Sequence, residues 1–138
     1  MIVVTSYFGN QKALKREGFT ICSVARYDPE WCKCDTKLIQ LAPTSDMLKM
    51  TDWNVYDAKY QEILKRVDLK FVKAIFNQYS KIALCCWEKN LNECHRKQAG
   101  EFLSAKLGIE IKEFVSAFPE KEKKSEKPKA KDTQINLF

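Results

Sequence analysis

Residues 81–96 have the sequence KIALCCWEKNLNECHR, in which an uninterrupted apolar run, residues 82–87, leads into a polar segment. A short apolar run that ends in polar residues is typical of a fully buried strand. Asn92 is a residue type that caps helices, and Gly108 is one that ends them. Between them, helical spacing gives one buried face to Ala99, Phe102, Leu103 and Leu107. A buried strand followed by a helix with one apolar face is the building unit of a parallel α/β sheet.

The same alternation of strand and helix patterns extends over most of the chain. Further strands are predicted at residues 2–6, 20–24 and 109–115, and a weaker one at residues 37–41 before Pro43. A first helix is predicted at residues 10–17. A second is indicated by the residues that share one helical face, which are Tyr56, Tyr60, Ile63, Leu64 and Val67. Asp68 can cap a third helix, whose apolar face carries Phe71, Val72, Ile75, Phe76 and Tyr79. We therefore predict an α/β fold, with a mostly parallel sheet covered by helices.

Composition and charge limit the class of protein. The 138 residues are about one domain's worth, and 45% hydrophobic with 30% charged residues is the composition of an ordinary globular protein. No apolar run approaches the roughly 20 residues of a membrane-spanning helix, and no secretory signal is recognisable at the N-terminus. We therefore expect no membrane association and a cytoplasmic, nucleoid-associated location. The net charge of +6 favours polyanionic partners such as DNA.

The composition changes sharply after Phe118. Residues 1–117 form the predicted α/β domain, and residues 118–132 are rich in Lys, Glu, Pro and Ser, which is typical of a flexible charged linker. Residues 133–138 then end the chain with Ile135, Leu137 and Phe138. We predict that this C-terminal tail is disordered, so its apolar end requires an explanation other than packing in the domain.

Polar side chains follow the predicted strands, where α/β proteins form their ligand sites. Ser6 and Tyr7 follow the first strand and Arg26 the second. Cys86 lies at the end of the buried strand predicted at residues 81–87, and Glu88, Cys94, His95 and Arg96 follow it. We expect these side chains to converge on one pocket.

The residue types in this set indicate their chemistry. Cys94 near a helix N-terminus is favoured as a thiolate, while Glu88 and His95 can transfer protons, so these three are the catalytic candidates. Arg26 and Arg96 suit phosphate. The remaining candidates for substrate binding are Ser6, Tyr7 and Cys86. The competing interpretation is structural: Cys94 packs on the sheet, His95 and Arg96 lie on the surface, and Glu88 pairs with Arg96 or caps the helix.

The chain has six cysteines, and without a secretory signal we do not expect a disulfide framework. Cys32 and Cys34, together with Cys86, Cys94 or His95, offer an alternative as a zinc site. One residue between Cys32 and Cys34 is a poor match to the usual spacing of zinc ligands. We therefore predict no metal site and no cofactor.

Two motifs carry a resemblance to a known family: Cys86-Trp87-Glu88-Lys89 and Cys94-His95-Arg96. Weaker pieces are Thr5-Ser6-Tyr7-Phe8, Ser23-Val24-Ala25-Arg26, Leu41-Ala42-Pro43, the Tyr56/Tyr60 helix and Ile109-Glu110-Ile111. Over residues 2 to about 115 the chain resembles the bacterial and bacteriophage branch of domain-of-unknown-function family 488. The resemblance implies an α/β fold and a shared pocket of Ser6, Tyr7, Arg26, Cys86, Glu88, Cys94, His95 and Arg96. It implies no settled activity.

The last five residues, Gln134-Ile135-Asn136-Leu137-Phe138, resemble the peptide with which bacterial replication and repair proteins bind the DNA sliding clamp. The resemblance implies clamp contacts by Gln134, Ile135, Leu137 and Phe138. We therefore expect a bacterial-type sliding clamp and DNA as partners, with a pocket for a nucleotide or an extruded base. Base removal or modification in DNA repair is the reaction class that such a pocket suggests. The alternatives are a non-catalytic clamp-binding adaptor or inhibitor of host replication, and a small-molecule thiol enzyme whose tail is incidental.

Overall fold

The computed structural model describes residues 1–89 and 94–116. Three predictions lie outside these residues: the capping role of Asn92, the charged linker, and the clamp-binding peptide with its contacts at Gln134, Ile135, Leu137 and Phe138. The described residues contain the elements of the α/β domain.

A five-stranded, all-parallel sheet forms the centre of the domain. Its strands are β1 (Ile2–Tyr7), β2 (Thr20–Ser23), β3 (Thr36–Lys37), β4 (Lys81–Cys86) and β5 (Ile111–Glu113). They lie in the order β3-β2-β4-β1-β5, so the apolar β4 is the middle strand. The predicted α/β class is confirmed, and the sheet is parallel throughout.

The four helices of the described chain are α1 (Gln11–Arg16), α2 (Trp53–Lys65), α3 (Leu69–Asn77) and α4 (Arg96–Leu107). Asp68 caps α3 as predicted, because its Oδ1 accepts the N–H of Phe71 at 3.1 Å. Gly108 ends α4 as predicted with a φ of 66°, a left-handed conformation that glycine adopts without steric cost. None of the described helices combines the length and apolar character needed to cross a bilayer.

The strand predicted at residues 37–41 is mostly wrong. Only Thr36–Lys37 pairs with β2, and Ile39–Leu41 forms a turn of 3₁₀-helix. Leu38 and Leu41 are both buried, and this spacing of three residues matches one turn of a 3₁₀-helix. The apolar run therefore reflects helical burial rather than strand alternation.

The two faces of the sheet pack different helices. In β4, Leu84 and Cys86 belong to the core beneath α2, α3 and α4, while Ala83 and Cys85 belong to the second core beneath α1. The chain leaves β2 toward β3 on one side, and it leaves β4, the neighbour of β2, through α4 toward β5 on the other side. Adjacent strands whose connections diverge in this way open a crevice at their carboxyl ends.

Candidate functional site

A small pocket of ≈ 70 Å³ lies beyond the carboxyl ends of β2 and β4. The loop after β2 contributes Arg26 and Tyr27, and β4 and its loop contribute Cys86, Trp87 and Glu88. The remaining walls are Ala25, Pro43, Leu48, Tyr56 and His95. A wider depression of ≈ 400 Å³ shares Leu48, Tyr56 and Glu88 with it. We call the two together the groove; its combined size reaches the range of small-molecule sites.

Arg26 enters the groove with part of its guanidinium free. Its Nε donates to the carbonyl oxygen of Pro43 at 2.8 Å, which fixes the direction of the side chain. Within the described residues neither Nη atom has a hydrogen bond or an ion pair. The side chain is only partly buried, so a ligand can reach these two donors. This is the arrangement expected for a phosphate-binding arginine.

Cys86 and Cys94 are joined by a disulfide with an S–S distance of 2.00 Å. This corrects the sequence-based expectation that both would be free thiols. A sulfur in a disulfide has no thiolate, so the predicted nucleophilic role of Cys94 applies to the reduced chain only. Both cysteines are almost completely buried, at 1% exposure each.

His95 is buried beside this disulfide and its orientation is fixed. Its Nε2 lies 2.8 Å from the carbonyl oxygen of Val24. Because a carbonyl can only accept, Nε2 carries the proton, and Nδ1 presents a lone pair toward Cys94 Sγ at 3.9 Å. The pKa of His95 is lowered to about 4, mainly by burial; the hydrogen bond with Val24 opposes this shift, and the positive charge of Arg96 contributes to it. The imidazole is therefore neutral at pH 7.

Arg96 was expected to bind a phosphate, but its guanidinium binds other groups of the protein. Its side chain is fully buried, and Nε and Nη2 bind both carboxylate oxygens of Glu113 at 3.1 and 2.8 Å. Nη1 donates to Cys86 Sγ at 3.1 Å and to the carbonyl of Glu88, while Nη2 also donates to the carbonyl of Lys89 at 2.9 Å. With these donors occupied, Arg96 holds the loop after β4 in place rather than facing a ligand.

Glu88 lines both parts of the groove and is exposed. Its carboxylate makes no ion pair with Arg96, which binds the backbone carbonyl of Glu88 instead. Burial raises the pKa of the Tyr56 hydroxyl, and the negative charge of Glu88 raises it further. The Glu88 carboxylate is therefore available to a ligand, and the Tyr56 phenol is neutral.

Four further candidates lie outside the groove. Ser6 is buried, its Oγ accepts from Asn10 Nδ2 at 3.2 Å, and it pairs in register with Cys85 rather than Cys86. Tyr7 pairs in register with Cys86 but does not line the groove. Cys32 packs in the core beneath α1, where Cys34 packs against it, away from Cys86. The structure thus does not bring Cys32 and Cys34 to the Cys86–Cys94 site.

Aromatic side chains are the feature of the groove that sequence reasoning missed. Tyr56 packs in the core as its helical spacing predicts, and it also lines the groove and stacks on the exposed Trp53 with ring centroids 4.7 Å apart. Tyr60 in turn stacks on Tyr56, and His95 contacts the Tyr60 ring edge-on. The indole of Trp87 donates to the carbonyl of Tyr27 at 2.6 Å on the opposite wall. The spacing of Tyr56 and Tyr60 shows in the sequence that both rings lie on one helix face, but a face that only packs against the core has the same spacing.

Comparison of the chain with known protein families, with curated proteins and with solved structures found no match. The resemblance to family 488 and the resemblance of the C-terminal peptide to a clamp-binding motif therefore stay predictions. The geometry of the groove is the basis for assigning a function.

Proposed function

We propose that this protein is recruited to DNA by a bacterial-type sliding clamp and accommodates one nucleotide of that DNA in the groove. The observation that carries the proposal is the convergence of Arg26, Tyr56, Glu88 and His95 at one edge of the sheet. These residues come from separate segments of the chain. They supply a cation, an aromatic ring, a carboxylate and a neutral imidazole to the same space.

Each group has a natural counterpart in a nucleotide. The free Nη donors of Arg26 match a phosphate, and the exposed indole of Trp53, which stacks on Tyr56, offers a flat surface on which a base can stack. The Glu88 carboxylate can accept a hydrogen bond from an amino group on the edge of a base. A groove with these features suits an unstacked base better than an intact duplex, because a stacked base exposes neither of its flat surfaces.

Several exposed aromatic rings near the groove support the same interpretation. Trp87 is 47% exposed, Tyr27 59% and Trp53 41%. Large apolar side chains exposed together on one surface usually mark a binding site. Together with the net charge of +6, they favour single-stranded or locally opened nucleic acid over a small neutral metabolite.

Delivery by the clamp rests on the sequence of residues 134–138. A clamp-bound protein is held at high local concentration next to DNA, so a groove with modest intrinsic affinity is sufficient. The resemblance to family 488 adds the prediction of a shared pocket and names no reaction. Base removal or modification remains the reaction class that fits an extruded base. An adaptor or inhibitor without catalysis would need only the tail.

The groove can be tested by measuring DNA binding with the Arg26→Ala variant. We expect Arg26→Ala to bind a fluorescent single-stranded oligonucleotide about tenfold more weakly than wild type in fluorescence anisotropy. The slope of log affinity against log salt concentration should fall by about one, because one phosphate contact is lost.

Lys106→Ala is the matched control, because it removes one positive charge from an exposed position at the far end of α4. It should change the affinity little. Equal losses in both variants would show that DNA responds to the overall charge and not to the groove. Absence of DNA binding by the wild-type protein, combined with clamp binding, would leave the adaptor as the function.

A further inference from the structure

Cys86, Cys94 and His95 form a buried cluster of possible metal ligands. The two sulfurs and an imidazole nitrogen all lie within 4.8 Å of one another, and all three residues are buried. Two thiolates and one imidazole are a donor set that binds zinc tightly. We propose that the reduced form of this chain binds a zinc-like divalent cation through Cys86, Cys94 and His95.

The orientation of His95 is the first support for this site. Metal-binding histidines usually donate their second ring N–H to a backbone carbonyl or a carboxylate, which aims the other nitrogen at the metal. Here Nε2 donates to the carbonyl of Val24 at 2.8 Å, and Nδ1 is directed toward Cys94 Sγ at 3.9 Å. In a tetrahedral site the sulfur and nitrogen ligands lie about 3.5 Å apart, so this pair needs little movement.

The surroundings of the two sulfurs are the second support. Arg96 Nη1 donates to Cys86 Sγ at 3.1 Å, and the backbone N–H of Arg96 reaches Cys94 Sγ at 3.5 Å. N–H donors that point at sulfur stabilise a thiolate and are typical of the second layer around metal–thiolate sites. Each sulfur of the cluster has one.

The backbone spacing is the third support. The Cα atoms of Cys86 and Cys94 are 7.4 Å apart, whereas disulfides usually join Cα atoms about 4.4–6.8 Å apart. An ion placed between two sulfurs accommodates a longer spacing, because the sulfurs then lie about 3.8 Å apart. The same two side chains can thus either form the disulfide or share a cation.

The conversion between the two forms balances with a dithiol as the reductant. Two electrons and two protons from the dithiol break the S–S bond and give two thiols, and the dithiol leaves as its own disulfide. The cation then displaces the two thiol protons to solvent. Two thiolates neutralise a divalent charge, so the buried site has no net charge beside the Arg96–Glu113 pair.

Three protein ligands leave a fourth position, and Cys86 and His95 both line the groove. Zinc sites with an open position bind water there and lower its pKa to about 7. Glu88 lines the same pocket and is the carboxylate there that would take a proton from such a water. On the proposed function, which this consequence rests on, the reaction in the groove would be a hydrolysis at the base. The metal site itself does not depend on DNA binding.

The test is a metal analysis of the purified full-length protein, kept reduced and free of DNA. We expect about one zinc per chain by elemental mass spectrometry. Replacement by Co²⁺ should give the near-ultraviolet sulfur-to-cobalt charge-transfer band and the visible bands of tetrahedral thiolate coordination. Cys86→Ser, Cys94→Ser and His95→Gln should each weaken the metal affinity at least tenfold.

Two variants serve as matched controls. Cys34→Ser removes a cysteine of the alternative zinc pair, and Glu88→Gln alters the groove without removing a ligand. Both should keep the cobalt spectrum of wild type. Loss of the metal in Cys34→Ser but not in Cys86→Ser would overturn the assignment.

A second measurement uses only the wild-type protein, so it does not depend on whether the variants fold. In the wild-type protein, added Zn²⁺ should protect Cys86 and Cys94 from iodoacetamide, as mapped by peptide mass spectrometry, without a matching change at Cys34. Reduced wild-type protein that binds neither zinc nor cobalt would overturn the proposal. A protein that binds zinc but not DNA would contradict the proposed function and not the metal site.

Discussion

Arg96 has no exposed surface, yet it carries a full positive charge into the core. The charge is balanced by Glu113, whose side chain is 28% exposed and also accepts from Thr5 Oγ1 at 2.7 Å. Breaking one partner of a buried ion pair is costly because the other charge is left unpaired. Arg96 therefore couples β5 to the loop after β4, and the position of Glu88 in the groove depends on this pair.

Glu113→Gln tests this coupling, because glutamine keeps the shape of the side chain but not its charge. We expect it to lower the free energy of unfolding by about 2 kcal/mol, less than for a fully buried pair because Glu113 is partly solvated. Urea denaturation at a fixed oxidation state measures the effect. Glu110→Gln is the control, since its pair with Lys112 is exposed and should contribute less than about 0.5 kcal/mol. Equal effects of the two substitutions would contradict the structural role of Arg96.

His95 gives the oxidised, metal-free protein a specific acid sensitivity. Its pKa is 6.5 in the unfolded chain and about 4 in the folded one, so between these values only the unfolded chain takes up the proton. Stability should therefore fall as the pH is lowered from about 6.5 to about 4, by up to about 3 kcal/mol, and this contribution should level off below pH 4. Urea titrations across this range would measure it.

His95→Gln removes the titrating group while its amide can still donate to the carbonyl of Val24. The variant should show a shallower loss of stability over the same pH range. Carboxylates titrate in both proteins, so the difference between them isolates His95. Parallel curves for the two proteins would contradict a neutral, buried imidazole.

The elements show where sequence patterns are sufficient and where they are not. The apolar run of β4 and the caps at Asp68 and Gly108 are local signals, and the structure confirms them. The short β3 was misplaced because Leu38 and Leu41 are buried in a 3₁₀ turn that has the apolar content of a strand. Local patterns reveal that a segment is buried, but they do not fix its hydrogen-bond partners.

The groove was predictable to the extent that it follows from topology. Arg26, Cys86, Glu88 and His95 were expected together because they follow strands of one parallel sheet, and they line one pocket. The partner of Arg96 was not predictable, because Glu113 lies 17 residues away on a strand whose register no local signal specifies. Ser6 and Tyr7 were misjudged because they belong to β1, whereas the groove lies beyond β2 and β4. Local patterns place a residue at the end of a strand but do not give the position of that strand in the sheet.

The cap of α3 provides a test at the level of a single element. Asp68→Ala removes the side-chain acceptor of the Phe71 N–H and should lower the free energy of unfolding by about 1 kcal/mol. Asp68→Ser keeps an acceptor at the same place and should lose much less. Denaturant titration of both variants measures the difference. Equal losses would indicate that Asp68 acts through its charge and not through the cap.

At the scale of the whole molecule, the chain combines an α/β domain with the proposed clamp-binding peptide. The groove lies at one edge of the sheet, and the peptide follows a segment rich in Lys, Glu and Pro. Two weak contacts on one chain, one to the clamp and one to DNA, raise the overall affinity through effective concentration. On the proposed function, the folded domain would determine which nucleotide is bound, and the tail would determine where the protein is held.

The tail prediction is tested by titrating a peptide of residues 129–138 against a bacterial-type sliding clamp. We expect about micromolar affinity, because Leu137 and Phe138 would supply the apolar contacts and the entropy of ordering the peptide on binding offsets part of their energy. Ile135 should add a smaller apolar contact, and Gln134 a hydrogen bond at the rim of the site. Full-length protein lacking Leu137 and Phe138 should lose clamp binding at least tenfold, while its affinity for single-stranded DNA stays near that of wild type. The Asn136→Ala peptide is the control, since this position accepts any residue in the motif. Clamp binding that survives removal of Leu137 and Phe138 would place the contact in the domain, and a peptide that fails to bind would remove the clamp from the proposed function.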